Sequence, residues 1–166
     1  MKNILYLILL IVIGFSIDLF PNLFPKNGPY TEDHMNGKEV GTYENGKKNG
    51  SFIIYYNNDW VEEGEYIDGM KEGDFLMYKY TPGGKSTITG KYKNDLRNGP
   101  FEEKWSNGQV EIGNYLNGVK NGEYIHYSSR TDSEGNKLII SKGKYYSGRR
   151  THLESDIEPQ YMDYGQ

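Results

Sequence analysis

Hydrophobic and polar residues follow two different patterns along this chain. Residues 4–17 form a nearly unbroken apolar run, which predicts a helix at the N-terminus. From Gly41 onward, short segments of alternating aromatic and polar residues are separated by Gly, Asn and Asp, and this pattern is typical of β-hairpins. The predicted fold is therefore all-β: an elongated array of antiparallel hairpins, a meander, preceded by an apolar N-terminal helix.

The apolar segment, residues 1–24, indicates export or membrane anchoring. Its run of about 14 apolar residues before Asp18 is typical of a signal-peptide core and short for a spanning helix of about 20. Gly14 and Ser16 match the small residues of a cleavage site poorly, so a cleaved signal peptide and a retained anchor both stay open. Lys2 favours a body outside the cytoplasm, so we expect a protein of the cell envelope, in contact with the membrane through this segment.

One motif recurs along the rest of the chain. Each copy starts at an anchor Gly, has Tyr two residues later and a turn residue five residues later, and continues with a second Gly and a second ring. The third copy has Asp95 where the others have a turn Gly, and the last copy stops at Arg150. These repeats, about four full copies and a half copy, occupy residues 38–150, between a predicted linker, 25–37, and an acidic tail, 151–166. The anchor glycines are Gly41, Gly64, Gly90, Gly113 and Gly143.

The recurring rings are predicted to replace an aliphatic core. A ring buries a large area, and a neighbouring Gly without a side chain leaves room for the ring to lie across it. The alternative, a ring platform for carbohydrate or peptide, explains the fixed offsets less well. The predicted ladder consists of Tyr43, Tyr66, Tyr92, Tyr115 and Tyr145 on the first strands, with Phe52, Phe75, Phe101 and Tyr124 on the second strands.

This motif resembles the MORN repeat, in particular its bacterial variant form. The family pattern, Gly-x-Tyr-x-x-Gly-x-x-x-Gly-x-Phe/Tyr, is matched by residues 113–124 and by the stretches that begin at Gly41 and Gly64. The resemblance covers residues 36–150 and neither terminus. It implies a hairpin array that serves as a scaffold, a membrane-associated module or a protein-binding partner; some bacterial relatives are labelled antitoxin components.

A basic residue recurs seven positions after each anchor Gly. In a stacked array these residues would form a row near the hairpin turns, about 10 Å apart, within reach of an acidic protein partner, anionic lipid head groups or acidic glycan. The alternative is that a turn has to be polar and that Lys or Arg keeps the edge soluble. The row consists of Lys48, Lys71, Arg97, Lys120 and Arg150.

Composition argues against several classes of function. A net charge of −4 does not favour nucleic-acid binding, and the absence of Cys excludes thiolate chemistry. The three His residues are isolated, and adjacent carboxylates such as Glu62 and Glu63 should point to opposite faces of a strand. We therefore expect no catalytic residues, no metal and no cofactor.

The sequence predicts a non-enzymatic scaffold that binds a protein partner at the cell envelope. One alternative is an antitoxin or immunity protein that neutralises a single toxin. A second alternative is an enzyme that acts on envelope glycan. The acidic tail is expected either to be solvated or to cap the last strand.

Overall fold

The protein is described by a computed structural model that covers residues 25–152. The predicted N-terminal helix, and all but the first two residues of the predicted tail, lie outside this range. Within residues 25–152, no helix is long and apolar enough to cross a membrane. The strands are β1 Gly28–His34, β2 Gly37–Glu44, β3 Lys47–Lys48, β4 Gly50–Tyr56, β5 Val61–Ile67, β6 Met70–Thr81, β7 Gly84–Lys93, β8 Leu96–Arg97, β9 Gly99–Lys104, β10 Val110–Leu116, β11 Val119–Lys120, β12 Gly122–Thr131, β13 Lys137–Tyr146 and β14 Arg149–His152.

The strands form a single antiparallel sheet. Long strands follow one another in chain order from β1 to β14, and the short strands β3, β8 and β11 pair with the strands that precede them, β2, β7 and β10. The predicted all-β antiparallel meander is therefore confirmed. Strand β1 occupies most of the segment predicted as a linker, where no strand was expected.

Tight turns with two left-handed residues join the strands of each hairpin. Asn45 and Gly46 have φ angles of 50° and 80°, and Asn117 and Gly118 have 50° and 86°. Positive φ at both central positions matches the right-handed twist of the flanking strands, which is why Asn-Gly is favoured there. Asp95 takes the same conformation, with φ of 66°, although it replaces Gly.

The turns also connect one copy to the next. The amide of Gly69 donates a hydrogen bond to the carbonyl of Lys48 at 2.8 Å, and the amide of Gly118 donates to the carbonyl of Arg97 at 2.8 Å. Each turn is thus tied to the backbone of the basic residue in the copy before it. This pairing orders the turn edge of the sheet independently of the rings.

Rings and anchor glycines lie on one face, here called the ring face. A Cβ on Gly113 would lie 2.8 Å from the Phe101 ring, and a Cβ on Gly64 would lie 2.9 Å from the Phe52 ring. The structure therefore confirms the predicted packing of rings across glycines. Each such ring also pairs with the Tyr of the next copy, with centroids 4.7–4.9 Å apart, in the pairs Phe52–Tyr66, Phe75–Tyr92, Phe101–Tyr115 and Tyr124–Tyr145.

Strand β1 supplies the same packing at the start of the array. The Tyr30 ring lies where a Cβ on Gly41 would be, and it pairs with the Tyr43 ring at 4.8 Å. Tyr30 thus takes the part that Phe52 takes one copy later. Residues 28–34 are the second strand of a further half copy, which the sequence motif did not reveal.

Candidate functional site

Three carboxylates are buried on the ring face. Glu39, Glu62 and Glu111 each stand two residues before an anchor Gly, and their exposed fractions are 4%, 1% and 0%. Residues two apart on a strand project to the same face, so these side chains lie beside the rings. A buried ionised carboxylate is stable only with charged and hydrogen-bonding partners.

Basic residues of the predicted row supply the charge partners. Lys48 Nζ lies 2.7 Å from Glu39, Lys71 Nζ lies 2.7 Å from Glu62, and Lys120 Nζ lies 2.8 Å from Glu111. Lys48 and Lys120 each reach a second carboxylate as well, that of Glu32 at 3.1 Å and that of Glu103 at 2.7 Å, and Arg150 contacts Glu111. These cations are folded back onto the ring face.

Tyrosine hydroxyls complete the coordination of the carboxylates. Tyr56 and Tyr92 donate hydrogen bonds to Glu62 at 2.6 Å and 2.9 Å, and Tyr145 donates to Glu111 at 2.9 Å. Burial alone would raise the pKa of Glu62, but the charge of Lys71 and these hydroxyls hold that pKa below its usual value. The carboxylate is therefore ionised at neutral pH. Since Tyr92 belongs to the copy after Glu62, the network also links neighbouring copies.

All five basic residues lie over rings of the ladder. Lys71 Nζ is 4.5 Å from the Phe52 ring centroid, and Lys120 Nζ is 4.5 Å from that of Phe101. A cation over a ring face is attracted by the ring quadrupole. The remaining pairs are Lys48 over Tyr30 and Tyr66, Lys71 over Tyr92, Arg97 over Phe75 and Tyr115, Lys120 over Tyr145, and Arg150 over Tyr124 and Tyr145.

These contacts change the interpretation of the basic row. Among residues 25–152, four of its five cations are held by carboxylates of the same chain, so the row does not present an uncompensated positive edge. Arg97 differs: its partners are the hydroxyls of Tyr92 and Tyr115, at 3.4 Å and 3.5 Å, and the sulfur of Met77.

His126 is the neutral neighbour of Glu111, the buried carboxylate of the fourth copy. It lies directly across the strands from Glu111, and its ring packs on Trp105 with centroids 5.0 Å apart. Burial lowers the pKa of His126, and its Nε2 is buried without a hydrogen-bond partner in the described part of the chain. Its contribution to the site is therefore packing, with the imidazole uncharged at neutral pH.

The opposite face, here called the groove face, carries a groove of about 640 Å³ over β6, β7, β9, β10 and β12. Ile112 of β10 lies opposite Ile125 of the neighbouring strand β12. On the other neighbouring strand, β9, Glu102 lies opposite Ile112. Ile112 is 37% exposed. Lys91 and Asp74, 2.9 Å apart, form an ion pair among the lining residues.

The buried carboxylates were missed at the sequence level, although a signal for them exists. Glu occurs two residues before the anchor Gly in three copies, and a basic residue follows each of these Glu residues nine positions later. Glu62 and Glu63 do lie on opposite faces as expected: Glu62 meets Lys71 and the ring-face tyrosines, whereas Glu63 accepts a hydrogen bond from Tyr78.

Neither a metal site nor a match to a known protein adds to the description of this site. Within residues 25–152, no group of three or more His, Asp or Glu side chains is arranged to hold a metal ion. No family model matches the chain, and no curated protein matches it.

Proposed function

We propose that this protein is a non-enzymatic scaffold of the MORN-like type, which binds a protein partner at the cell envelope through its groove face. The observation that carries the proposal is the difference between the two faces of the sheet. One face uses its rings and charges on contacts within the chain. The other leaves apolar side chains exposed beside a groove.

The ring face supports this assignment by being closed to most partners. The cations that suggested an anionic ligand neutralise Glu39, Glu62 and Glu111 instead. Breaking such pairs to bind lipid or glycan would leave buried charges without partners, which costs several kcal/mol per pair.

The side chains of the groove face support binding of a protein partner. Its apolar floor, with Ile112 and Ile125, is bordered by ion pairs formed within the sheet, Lys91–Asp74 at 2.9 Å and Lys104–Glu102 at 2.7 Å. Because these flanking charges are already paired, we assign the groove to a protein segment with an apolar stripe rather than to a highly charged ligand. The segment at residues 1–24, by its composition, would hold the sheet at the membrane.

A charge placed in the groove tests the proposal. Full-length protein with Ile112→Glu should lose the partner in affinity capture from membrane extracts, because the partner would have to desolvate the new carboxylate. Met35→Glu is the matched control, since Met35 is 94% exposed in the β1–β2 turn, away from the groove. The expected result is a protein that wild type and Met35→Glu retain and that Ile112→Glu does not. If no protein behaves in this way, the proposal fails.

The same capture separates the scaffold from its alternative. A single stoichiometric partner whose toxicity is lost in the complex would support a neutralising role. Several partners of related apolar character would support a general scaffold.

A further inference from the structure

The third copy breaks the charge pattern of the ring face. Where the first, second and fourth copies have Glu two residues before the anchor Gly, the third has Ile88. Its basic residue, Arg97, consequently lies half-buried on the ring face without an ion pair to any residue between 25 and 152. A cation removed from water without a counter-ion is energetically costly, so this position favours an anion from outside the copy.

The donors at this position are already arranged. Arg97 Nε and Nη1 lie 3.4 Å and 3.5 Å from the hydroxyls of Tyr92 and Tyr115. The Tyr92 hydroxyl gives its proton to Glu62 at 2.9 Å, so its oxygen accepts from the guanidinium. Among residues 25–152, Tyr115 has no such acceptor, because Ile88 occupies the Glu position, so its hydroxyl proton is not given to a carboxylate there.

The fourth copy shows what completes such an arrangement. There Lys120 Nζ donates to Glu111 at 2.8 Å, and the hydroxyl of Tyr145, from the next copy, donates to the same carboxylate at 2.9 Å. Arg97 and Tyr115 are the equivalent pair of donors without the carboxylate.

The remaining neighbours of the guanidinium are a ring and a thioether. The guanidinium lies over the Phe75 ring, 4.8 Å from its centroid, and Nη2 contacts the Met77 sulfur. A thioether is a weak acceptor on a flexible side chain, so a carboxylate would displace it readily. The planar fork of Arg matches the two oxygens of a carboxylate.

We infer that Arg97 and Tyr115 form a binding site for a single carboxylate on the ring face, separate from the groove. The carboxylate has two sources of the same chemistry: an Asp or Glu side chain of another protein, or one from the acidic segment of this chain, which contains Glu154, Asp156, Glu158 and Asp163. Both would restore in the third copy the contacts that the other copies make internally.

The site is tested by the side-chain signal of Arg97. The full chain, labelled with ¹⁵N-Arg in zwitterionic detergent, contains only Arg97, Arg130, Arg149 and Arg150, so its Nε–Hε resonances are few and Arg97→Lys assigns the one of interest. Addition of a hexaglutamate peptide should shift this resonance saturably, while sodium chloride at equal ionic strength should not.

Two variants give the decisive comparison. Ile88→Glu supplies an internal carboxylate, so it should move the Arg97 resonance without peptide and weaken the peptide response about tenfold or more. A chain with Glu154→Gln, Asp156→Asn, Glu158→Gln and Asp163→Asn identifies the source. If its Arg97 resonance differs from wild type before peptide is added, the acidic segment is the ligand; if only the peptide moves it, the ligand is external.

The inference is overturned if the Arg97 resonance responds neither to the peptide nor to neutralisation of the acidic segment, or if Ile88→Glu leaves the response unchanged. A thermal melt of each variant confirms that it is folded. Since these signals require no protein partner, loss of the groove-dependent capture leaves this result unaffected, and the reverse also holds.

Discussion

Two adjacent lysines differ in what they stabilise. Lys48 reaches the buried Glu39, whereas Lys47 pairs with the exposed Asp68 at 3.2 Å. Lys48→Met should lower the free energy of unfolding by about 3 kcal/mol, since it leaves a carboxylate buried without its cation. Lys47→Met should change that free energy by less than about 0.5 kcal/mol. Urea unfolding of both variants checks the pair, and equal effects would contradict internal neutralisation.

The buried carboxylates also predict an acid dependence. The pKa of Glu62 in the folded protein lies below its unfolded value of 4.5, although burial acts in the opposite direction, because Lys71 and two hydroxyls favour the ionised form. A lowered folded pKa stabilises the protein above 4.5, and this contribution is lost as the pH falls through the folded pKa. Glu62→Gln should therefore lose less stability than wild type between about pH 5 and pH 3. Parallel losses in urea midpoints would contradict this.

For single residues, the sequence did not predict which face of the sheet each charged side chain points to. A Glu on a strand is ordinarily solvent-facing, and Glu62 was distinguishable from Glu63 only through the face shared with the anchor Gly64. The partner of Glu62, Lys71, follows nine positions later on the next strand, so the pair forms only when the turn brings β6 against β5.

Among the strands, packing of rings on glycines is a side-chain contact that joins neighbouring strands of the sheet. A Cβ on Gly113 would lie 2.8 Å from the Phe101 ring and 3.3 Å from the Glu123 carbonyl. Gly113→Ala should therefore cost about 2 kcal/mol of unfolding free energy. The cost should shrink when Phe101→Leu is also present, because the ring no longer lies there. Additive effects in this double-mutant cycle would show that the ring is not the obstacle.

The hairpins were predictable because their turns have local chemistry. Asn-Gly pairs such as Asn45-Gly46 favour positive φ, and the ring positions repeat at fixed offsets from them. Strand β1 was not predictable in this way: it has one ring, Tyr30, and lies before the first anchor Gly. In its pairing with β2, the Tyr30 ring covers Gly41 from the preceding strand, as the Phe52 ring covers Gly64.

In the whole molecule, binding of a partner to the groove face should depend little on salt. The affinity for a partner at the groove face should weaken by no more than about threefold between low and physiological ionic strength. The reason is that flanking charges such as Lys91 and Asp74 already neutralise each other in ion pairs. Affinity measured by surface plasmon resonance over a salt series checks this. A steep loss of affinity with salt would indicate that charged contacts dominate.

The most direct measurement is photo-crosslinking from the groove in intact cells. The photoreactive residue p-benzoylphenylalanine, placed at position 112 in the groove or at position 35 in the exposed β1–β2 turn, reports which surface a partner covers. A partner seated on the groove face should give a discrete protein adduct from position 112 and none from position 35. The same adduct from both positions, or from position 35 alone, would contradict a partner seated on the groove face.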